Sequence, residues 1–223
     1  MSRADYLIVS CEHGGNRIPP RFQALFSRKF LATHRGYDPG ALELARDFAA
    51  ATGAPFFYSR VSRLLVELNR PLGHPQVFHS KLPQRTRDAL LRRYYLPYWN
   101  TLEKKIAQAI RRGRRVLHLS VHSFTPRFRG VTRTTDVGLL FDPRRRLEAL
   151  LCASWKKRIE ARLVVRYNDP YDGVHPSVVQ SMRERFSPAS YVGIQIEVNQ
   201  KYPRRGGGRW RALRKALVES FPQ

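Results

Sequence analysis

Along this chain, short runs of Val, Ile, Leu and aromatic residues alternate with longer stretches whose apolar positions recur every three or four residues. The first kind of segment predicts strands and the second predicts helices, so their alternation predicts a layered α/β fold. Strand candidates are Tyr6–Cys11, Pro55–Tyr58, Leu64–Leu68, Val116–Val121, Val137–Phe141, Leu163–Arg166 and Val192–Val198, bounded by Gly, Pro, Asn or charged residues. Most lack strict alternation, as expected of a sheet covered by helices on both faces.

Helix candidates lie between them. Ala41–Thr52 carries apolar residues at helical spacing and stops before Gly53, a residue suited to the position just past a helix end. Thr86–Arg112 sets Leu91, Tyr95, Leu102, Ile106 and Ile110 near one stripe, and Pro97 within it predicts a kink or two helices. Further helices are expected at Arg144–Ala161, Ser177–Phe186 and Arg209–Ser220. The last puts Trp210, Leu213, Leu217 and Phe221 on one face, as a closing helix packed on the core would. Pro71–Gln84 and Ser123–Asp136 read as loops, and Arg204–Gly208 as a flexible basic joint. With no internal repeat and no long linker, residues 1–223 parse as a single domain, the size that 223 residues suit.

Composition narrows the class of protein. Hydrophobic residues at 42% and aromatics at 11% supply a core, which excludes wholesale disorder. No stretch approaches the roughly 18 apolar residues of a membrane helix. Two cysteines, Cys11 and Cys152, are too few for a disulfide framework, and the first dozen residues hold only the short apolar run Leu7-Ile8-Val9. A reducing, cytoplasmic location is expected. Lys and Arg number 41 against 17 Asp and Glu, a formal charge of +24, which raises the alternative of a nucleic-acid or polyanion-binding protein. Basic clusters at Arg111–Arg115, Arg144–Arg146 and Arg204 to Arg211 suggest it, although no zinc-finger, RRM or KH signature accompanies them and a solvated basic surface explains them as well.

Three polar residues stand at or just past the ends of apolar runs: His13 after Leu7–Cys11, His122 after Val116–Val121, and Glu197 within Val192–Val198. If these strands run parallel, all three gather at the carboxyl edge of the sheet, where α/β folds place their sites. Two imidazoles with a carboxylate suit a catalytic zinc, which takes three protein ligands and keeps one position for water. Either histidine alone reads better as a satisfied core or loop residue. His118 shares the phase of His122 but lies deeper in its strand and is assigned to the core. Cys11 reads as a buried inert thiol rather than a nucleophile. In Ser62–Pro71, Asn69-Arg70 follow a buried apolar run. A guanidinium binds a carboxylate through a planar fork of donors, and an amide adds a bond beside it; a solvated arginine is the alternative.

Taken in order, these segments resemble a known family. Ser10-Cys11-Glu12-His13-Gly14-Gly15-Asn16-Arg17-Ile18-Pro19, Tyr37-Asp38-Pro39-Gly40-Ala41, Ser62-Arg63 through Asn69-Arg70-Pro71, Leu119–Phe124, Asp136-Val137-Gly138-Leu139, Asn168–Gly173 and Gly193–Gln200 together look like the N-formylglutamate amidohydrolase family. The resemblance runs from about Leu7 to Tyr202. It implies a three-layer α/β/α fold with a mixed central sheet, phosphorylase/hydrolase-like and similar to zinc carboxypeptidases and aspartoacylases. It further implies metal-dependent hydrolysis of the amide of a small, carboxylate-bearing N-acyl amino acid, with one Zn2+ per chain. On that pattern His13 and His122 are zinc ligands, Glu197 is the base, Arg63 polarises the scissile carbonyl, and Asn69 and Arg70 hold the substrate carboxylate. Arg166 and Asn168 end another strand candidate and are expected to add substrate contacts, with loop packing as the alternative for Asn168.

The chain departs from the pattern in two places. The carboxypeptidase relatives carry a glutamate three residues after the first histidine, where this chain has Asn16, a poor zinc ligand. Glu12, next to His13, is expected to point to the opposite face. Asp38, which opens the Ala41–Thr52 helix, is the expected third ligand; a helix cap before Pro39 is an equally good reading. The second departure is Glu12 itself, since typical members carry proline there. Another N-acyl amino acid, or the C-terminal residue of a small peptide, is therefore as plausible a substrate as N-formylglutamate.

Overall fold

The computed structural model describes residues 5–161 and 163–222. Its core is a six-stranded sheet built from β1 (Asp5–Cys11), β2 (Phe56–Tyr58), β3 (Arg115–Phe124), β6 (Val137–Leu140), β7 (Val165–Tyr167) and β8 (Tyr191–Asn199). The order across the sheet is β2-β1-β3-β8-β6-β7. The first four strands run parallel, β6 is antiparallel to β8, and β7 is parallel to β6. The sheet is thus mixed, and β1, β3 and β8 present their carboxyl ends at one edge. A separate two-stranded ribbon, β4 (Arg127–Phe128) with β5 (Val131–Thr132), stands in the segment expected to be a loop.

Helices cover both faces. On one side α2 (Ala41–Thr52), α5 (Arg146–Ile159) and α8 (Gly207–Glu219) press Phe48, Trp155, Leu217 and Phe221 onto Val9, Leu119, Val121, Ile194 and Ile196. The other side carries α3 (Gln84–Leu90), α4 (Leu96–Arg111) and α6 (Val178–Arg185), which enclose Leu90, Trp99, Ile106 and Met182 with Ile8, Val116 and Tyr191. Two short helices complete the chain, α1 (Arg28–Leu31) and α7 (Lys201–Arg205). No helix among the described residues is long and apolar enough to cross a membrane, and both cysteines are buried free thiols.

The strands alternate after all, but the alternation is hidden. Leu7, Val9 and Cys11 of β1, Leu117, Leu119 and Val121 of β3, and the even positions Val192 to Val198 of β8 are apolar and face α2, α5 and α8. The opposite face begins apolar, with Ile8, Val116 and Tyr191, and then turns polar toward the carboxyl edge: Ser10, His118, Ser120, His122, Gln195 and Glu197, all buried. The site is therefore set into the sheet surface itself.

Two further expectations differ from the structure. Leu64–Leu68 is a buried turn rather than a strand, closed by bonds from the Leu65 and Val66 amides to the Ser62 carbonyl. It reads as a strand because Leu65, Val66 and Leu68 are buried, and burial alone does not separate a strand from a packed loop. The long helical stretch divides into two helices, as Pro97 predicts, with a π-helical turn over Leu91–Tyr95 just ahead of that proline, whose ring and missing N–H disrupt the preceding turn. Part of the expected basic joint is helix α7, and the break falls at Gly206 and Gly207, which take φ values of 59° and 63° that glycine tolerates.

Candidate active site

Three loops carry the site to the edge of the sheet. His13 lies two residues past the end of β1, in a turn, so strand alternation no longer dictates where its ring points. The Asp38 amide bonds the His13 carbonyl (2.9 Å), which ties the loop before α2 to that turn. Asp38 does not cap the helix. Gly40 holds the cap position, the Ala41 amide bonds the Asp38 backbone carbonyl, and the carboxylate turns inward. Its Oδ2 lies 3.2 Å from His13 Nδ1 and 2.8 Å from His122 Nδ1. One donor atom each from His13, Asp38 and His122 fit within 4.8 Å of one another, and all three residues are buried.

Each ring is held from behind by a second carboxylate. Glu67 contacts His13 Nε2, and Glu12 Oε2 lies 3.1 Å from His122 Nε2. Arg63 grips Glu67 with Nε (2.8 Å) and Nη2 (2.6 Å) and turns Nη1 toward Asp38 at 3.4 Å. Glu197 pairs with His122 in the β3–β8 register. On its other side stands Gly138, where any Cβ would meet the Asp169 carbonyl oxygen at 2.0 Å, so only glycine lets that backbone pass beside Glu197.

The electrostatics favour a cation at the centre. Burial pushes the Asp38 carboxyl up, but the charges and hydrogen bonds of His13 and His122 outweigh it and hold it far below the usual range. Burial also opposes ionisation of Glu12 and Glu67, and is overcome by His122 at Glu12 and by Arg63 and His13 at Glu67. The same contest on the Arg63 guanidinium ends with its pKa raised by Glu67 and Asp38. Asp38 and Glu67 face the Arg63 guanidinium and Glu12 faces only His122, so one fixed cation stands against three carboxylates in a buried setting that does not tolerate unpaired charge. Without a metal, a proton on His122 supplies part of the balance: burial disfavours charge there, yet Asp38 and Glu12 raise it to about 10. A dication supplies the same balance, and the imidazole–carboxylate donor set suits zinc and other first-row ions. The residues present therefore fit a divalent metal.

Glu197 is the exception among the acids. Burial raises it to about 8; the His122 charge opposes this and the Asp38 charge adds to it. Its Oε2 is buried without a hydrogen-bond partner. It lines a cavity of about 430 Å³ together with His13, Asp38, His122, Arg63, Asn69 and Arg70. That volume suits one small molecule.

The remaining sequence candidates divide. Asn69 and Arg70 reach the cavity wall. Asn69 Oδ1 accepts from the Val178 amide, and Arg70 Nη1 donates to the Asn69 and Pro176 carbonyls. Among the described residues Arg70 forms no salt bridge, unlike Arg63. Arg166 and Asn168 do not line the cavity. Arg166 donates to the hydroxyls of Thr134 (2.8 Å) and Thr135 (2.6 Å), while Asn168, at φ 49°, accepts from the Phe141 amide and packs a turn. His118 is a core residue, bonded to Tyr191 Oη and Ser10 Oγ, and burial lowers it to about 4. Burial and the charge of Glu12 push the Cys11 thiol up, as an inert thiol requires.

Sequence reasoning missed Glu12, Glu67 and the outer wall of Tyr171, Asp172 and His175. Glu12 is on the site face, not the opposite one. Ile8, Ser10 and Glu12 share a phase on β1, and it is His13 that leaves it. For Glu67 the signal was an acid inside an otherwise apolar buried run. The outer wall comes from a loop distant in sequence: Tyr171 and Asp172 lie in the Asn168–Gly173 segment of the resemblance, where only Asn168 carried an expected role.

Fold and site together define a hydrolase of the mixed-sheet α/β class: buried imidazoles and carboxylates at the carboxyl edge of parallel strands, opening on a small-molecule cavity beside an unpartnered carboxylate. The chain belongs to the N-formylglutamate amidohydrolase family, whose model matches residues 6–202. Two solved structures share its fold. A gene product of Agrobacterium tumefaciens is 28% identical, with a TM-score of 0.83 over 99% of this chain and 90% of that one. An N-formylglutamate amidohydrolase from Ralstonia eutropha JMP134 is 20% identical, with a TM-score of 0.76 over 98% of this chain and 92% of that one. No curated protein matches the chain.

Proposed function

We infer that this protein hydrolyses the amide bond of an N-acyl amino acid, N-formylglutamate or a close analogue, with one zinc ion held by His13, Asp38 and His122. The observation that carries the reading is the partnerless buried oxygen of Glu197 on the cavity wall shared by those three residues. Family membership supports the amide substrate. When bound, zinc supplies Lewis acidity that makes water a competent nucleophile near neutrality.

The chain's own residues do the rest. Glu197 accepts the proton of the attacking water and returns it to the leaving nitrogen. Its raised pKa marks a carboxylate that binds a proton readily in this setting. Arg63, anchored on Glu67 and lining the cavity, stabilises the developing oxyanion with its charge. Arg70 meets the amino-acid carboxylate with a charge that no acid of the described residues pairs, and Asn69 stands beside it.

Metal content by mass spectrometry on chelator-free protein tests the reading, with His122→Ala purified alongside and N-formylglutamate hydrolysis assayed on both. About one zinc per native chain is expected, lost together with activity in the variant. A native chain that takes up no metal even when zinc is offered back would overturn it.

A further inference from the structure

Glu12 is a buried carboxylate of the site with no part in the mechanism above. It is buried on the polar face of the sheet, just beyond the end of β1. Tyr98 Oη, from α4, donates to its Oε1 at 2.7 Å, and Ser120 Oγ donates to its Oε2 at 2.7 Å. That same Oε2 lies 3.1 Å from His122 Nε2, while Asp38 Oδ2 lies 2.8 Å from the other nitrogen of the ring.

A neutral imidazole carries one proton on one of two nitrogens, and its neighbours choose which. Both oxygens of Glu12 already accept from hydroxyls, so Oε2 faces Nε2 as an acceptor. Ser120 spends its single proton on Glu12, so its oxygen, 3.0 Å from Nε2, accepts as well. Asn69 Nδ2 stands 3.3 Å from Nε2 but has a second acceptor in Gln195 Oε1 at 3.4 Å. Two acceptors against one donor hold a proton on Nε2, while Nδ1, which faces Asp38 Oδ2 at 2.8 Å, is the nitrogen that gives up its proton when a metal is taken up by Asp38 and the two histidines. The arrangement is repeated at His13, with Glu67 behind Nε2 and Asp38 in front of Nδ1. We propose that Glu12 is a positioning residue of the metal site: it holds His122 in the Nε2–H tautomer so that Nδ1 is presented to the metal. The proposal rests on the metal reading given above. Tyr98 and Ser120 in turn fix the carboxylate, so the orientation of the ring is set three groups deep into the core.

Zinc affinity of the intact chain, measured by competition with a chromophoric chelator, tests this on Glu12→Gln and on Tyr98→Phe. Glu12→Gln removes the obligate acceptor at constant size and should weaken zinc binding roughly 10–100-fold. Tyr98→Phe removes a different bond to the same carboxylate and leaves the His122 contact, so it should cost less than about tenfold. In zinc-loaded, nitrogen-15-labelled protein the slowly exchanging His122 Nε2–H resonance should be present in the native chain and lost in Glu12→Gln. Unchanged zinc affinity in Glu12→Gln, or an equal loss in Tyr98→Phe, would overturn the proposal while leaving the metal reading intact. A native chain without zinc affinity would overturn both. Should Glu12→Gln fail to fold, Glu12→Asp keeps the charge but draws it back from Nε2, and the same loss of affinity and resonance is expected, or its absence decides against the role.

Discussion

Strand β8 passes two buried groups of charge that solve the same problem differently. Beside its first half, Arg183 and Glu148 meet as a pair at 2.9 and 3.1 Å. The remaining donors of Arg183 go to the Gly173 and Gly193 carbonyls, and Glu148 accepts the Asp142 and Gly193 amides. One charge meets one charge and the hydrogen bonds are satisfied locally, so the cluster is closed. At the other end of the strand, Asp38 and Glu67 share a single guanidinium, Glu12 faces only a histidine among the ionisable bases, and among the described residues Glu197 keeps an oxygen without a partner. A buried pair that balances is a piece of architecture. A buried group that does not balance among its fixed cations needs protons or a further cation, and this one lines a cavity.

The sharpest way to test the difference is to remove one carboxyl charge at the open end. Glu197→Gln should lower the rate of amide hydrolysis by about 10²–10⁴-fold, the scale of a lost general base, with zinc content unchanged. Normal turnover in the variant would remove Glu197 from the mechanism. At the closed end the expected loss is of stability instead. Arg183→Leu leaves Glu148 buried and unpaired and should cost about 3–5 kcal/mol, read by urea unfolding. The double change with Glu148→Leu should recover most of it, and zinc per folded chain should stay the same in both. Loss of zinc binding in the folded double variant would show that the two clusters are one.

A smaller effect is expected from pH. Burial raises Glu197 to about 8, from an ordinary value of 4.5. The native state of metal-free protein therefore holds a proton that the unfolded state has released, between those two values. Stability from this group is complete below about 4.5 and drains away as pH rises to about 8. Metal-free Glu197→Gln cannot lose it, so its melting temperature should overtake that of the native chain by a few degrees at pH 8 and above, and the gap should close toward pH 4.5. A gap independent of pH would mean that Glu197 does not carry a raised pKa.

Much of this was legible from residue order. The apolar runs that became β1, β3, β6 and β8 were visible because a central sheet needs continuous apolar residues, and the helix over Ala41–Thr52 was matched at both ends. His13, His122 and Glu197 could be brought together from sequence because a parallel strand delivers whatever follows it to a common edge. Asp38 remained balanced between ligand and cap, since both roles want a carboxylate just before a helix; only the turn of its side chain toward the two rings separates them. The Leu64–Leu68 turn was misread because the residues of a packed loop and a strand are alike when both are buried. Arg166 stands near the right edge of the sheet but turns to threonine hydroxyls, a choice made by side chains 31 and 32 positions away.

The sequence by itself determined the layered fold, the apolar face of the sheet and the residue types that gather at its carboxyl edge, because periodicity and strand direction are local properties that the chain carries everywhere it goes. Tertiary structure alone decided that Glu12 and Glu67 stand behind the histidines, that Arg63 is committed to Glu67 while Arg70 forms no ion pair among the described residues, and that Glu197 keeps a bare oxygen. Those are matters of angle and charge balance among segments far apart in the chain. An imidazole's useful nitrogen is chosen by what lies within about 3 Å of the other one, and sequence does not record that distance.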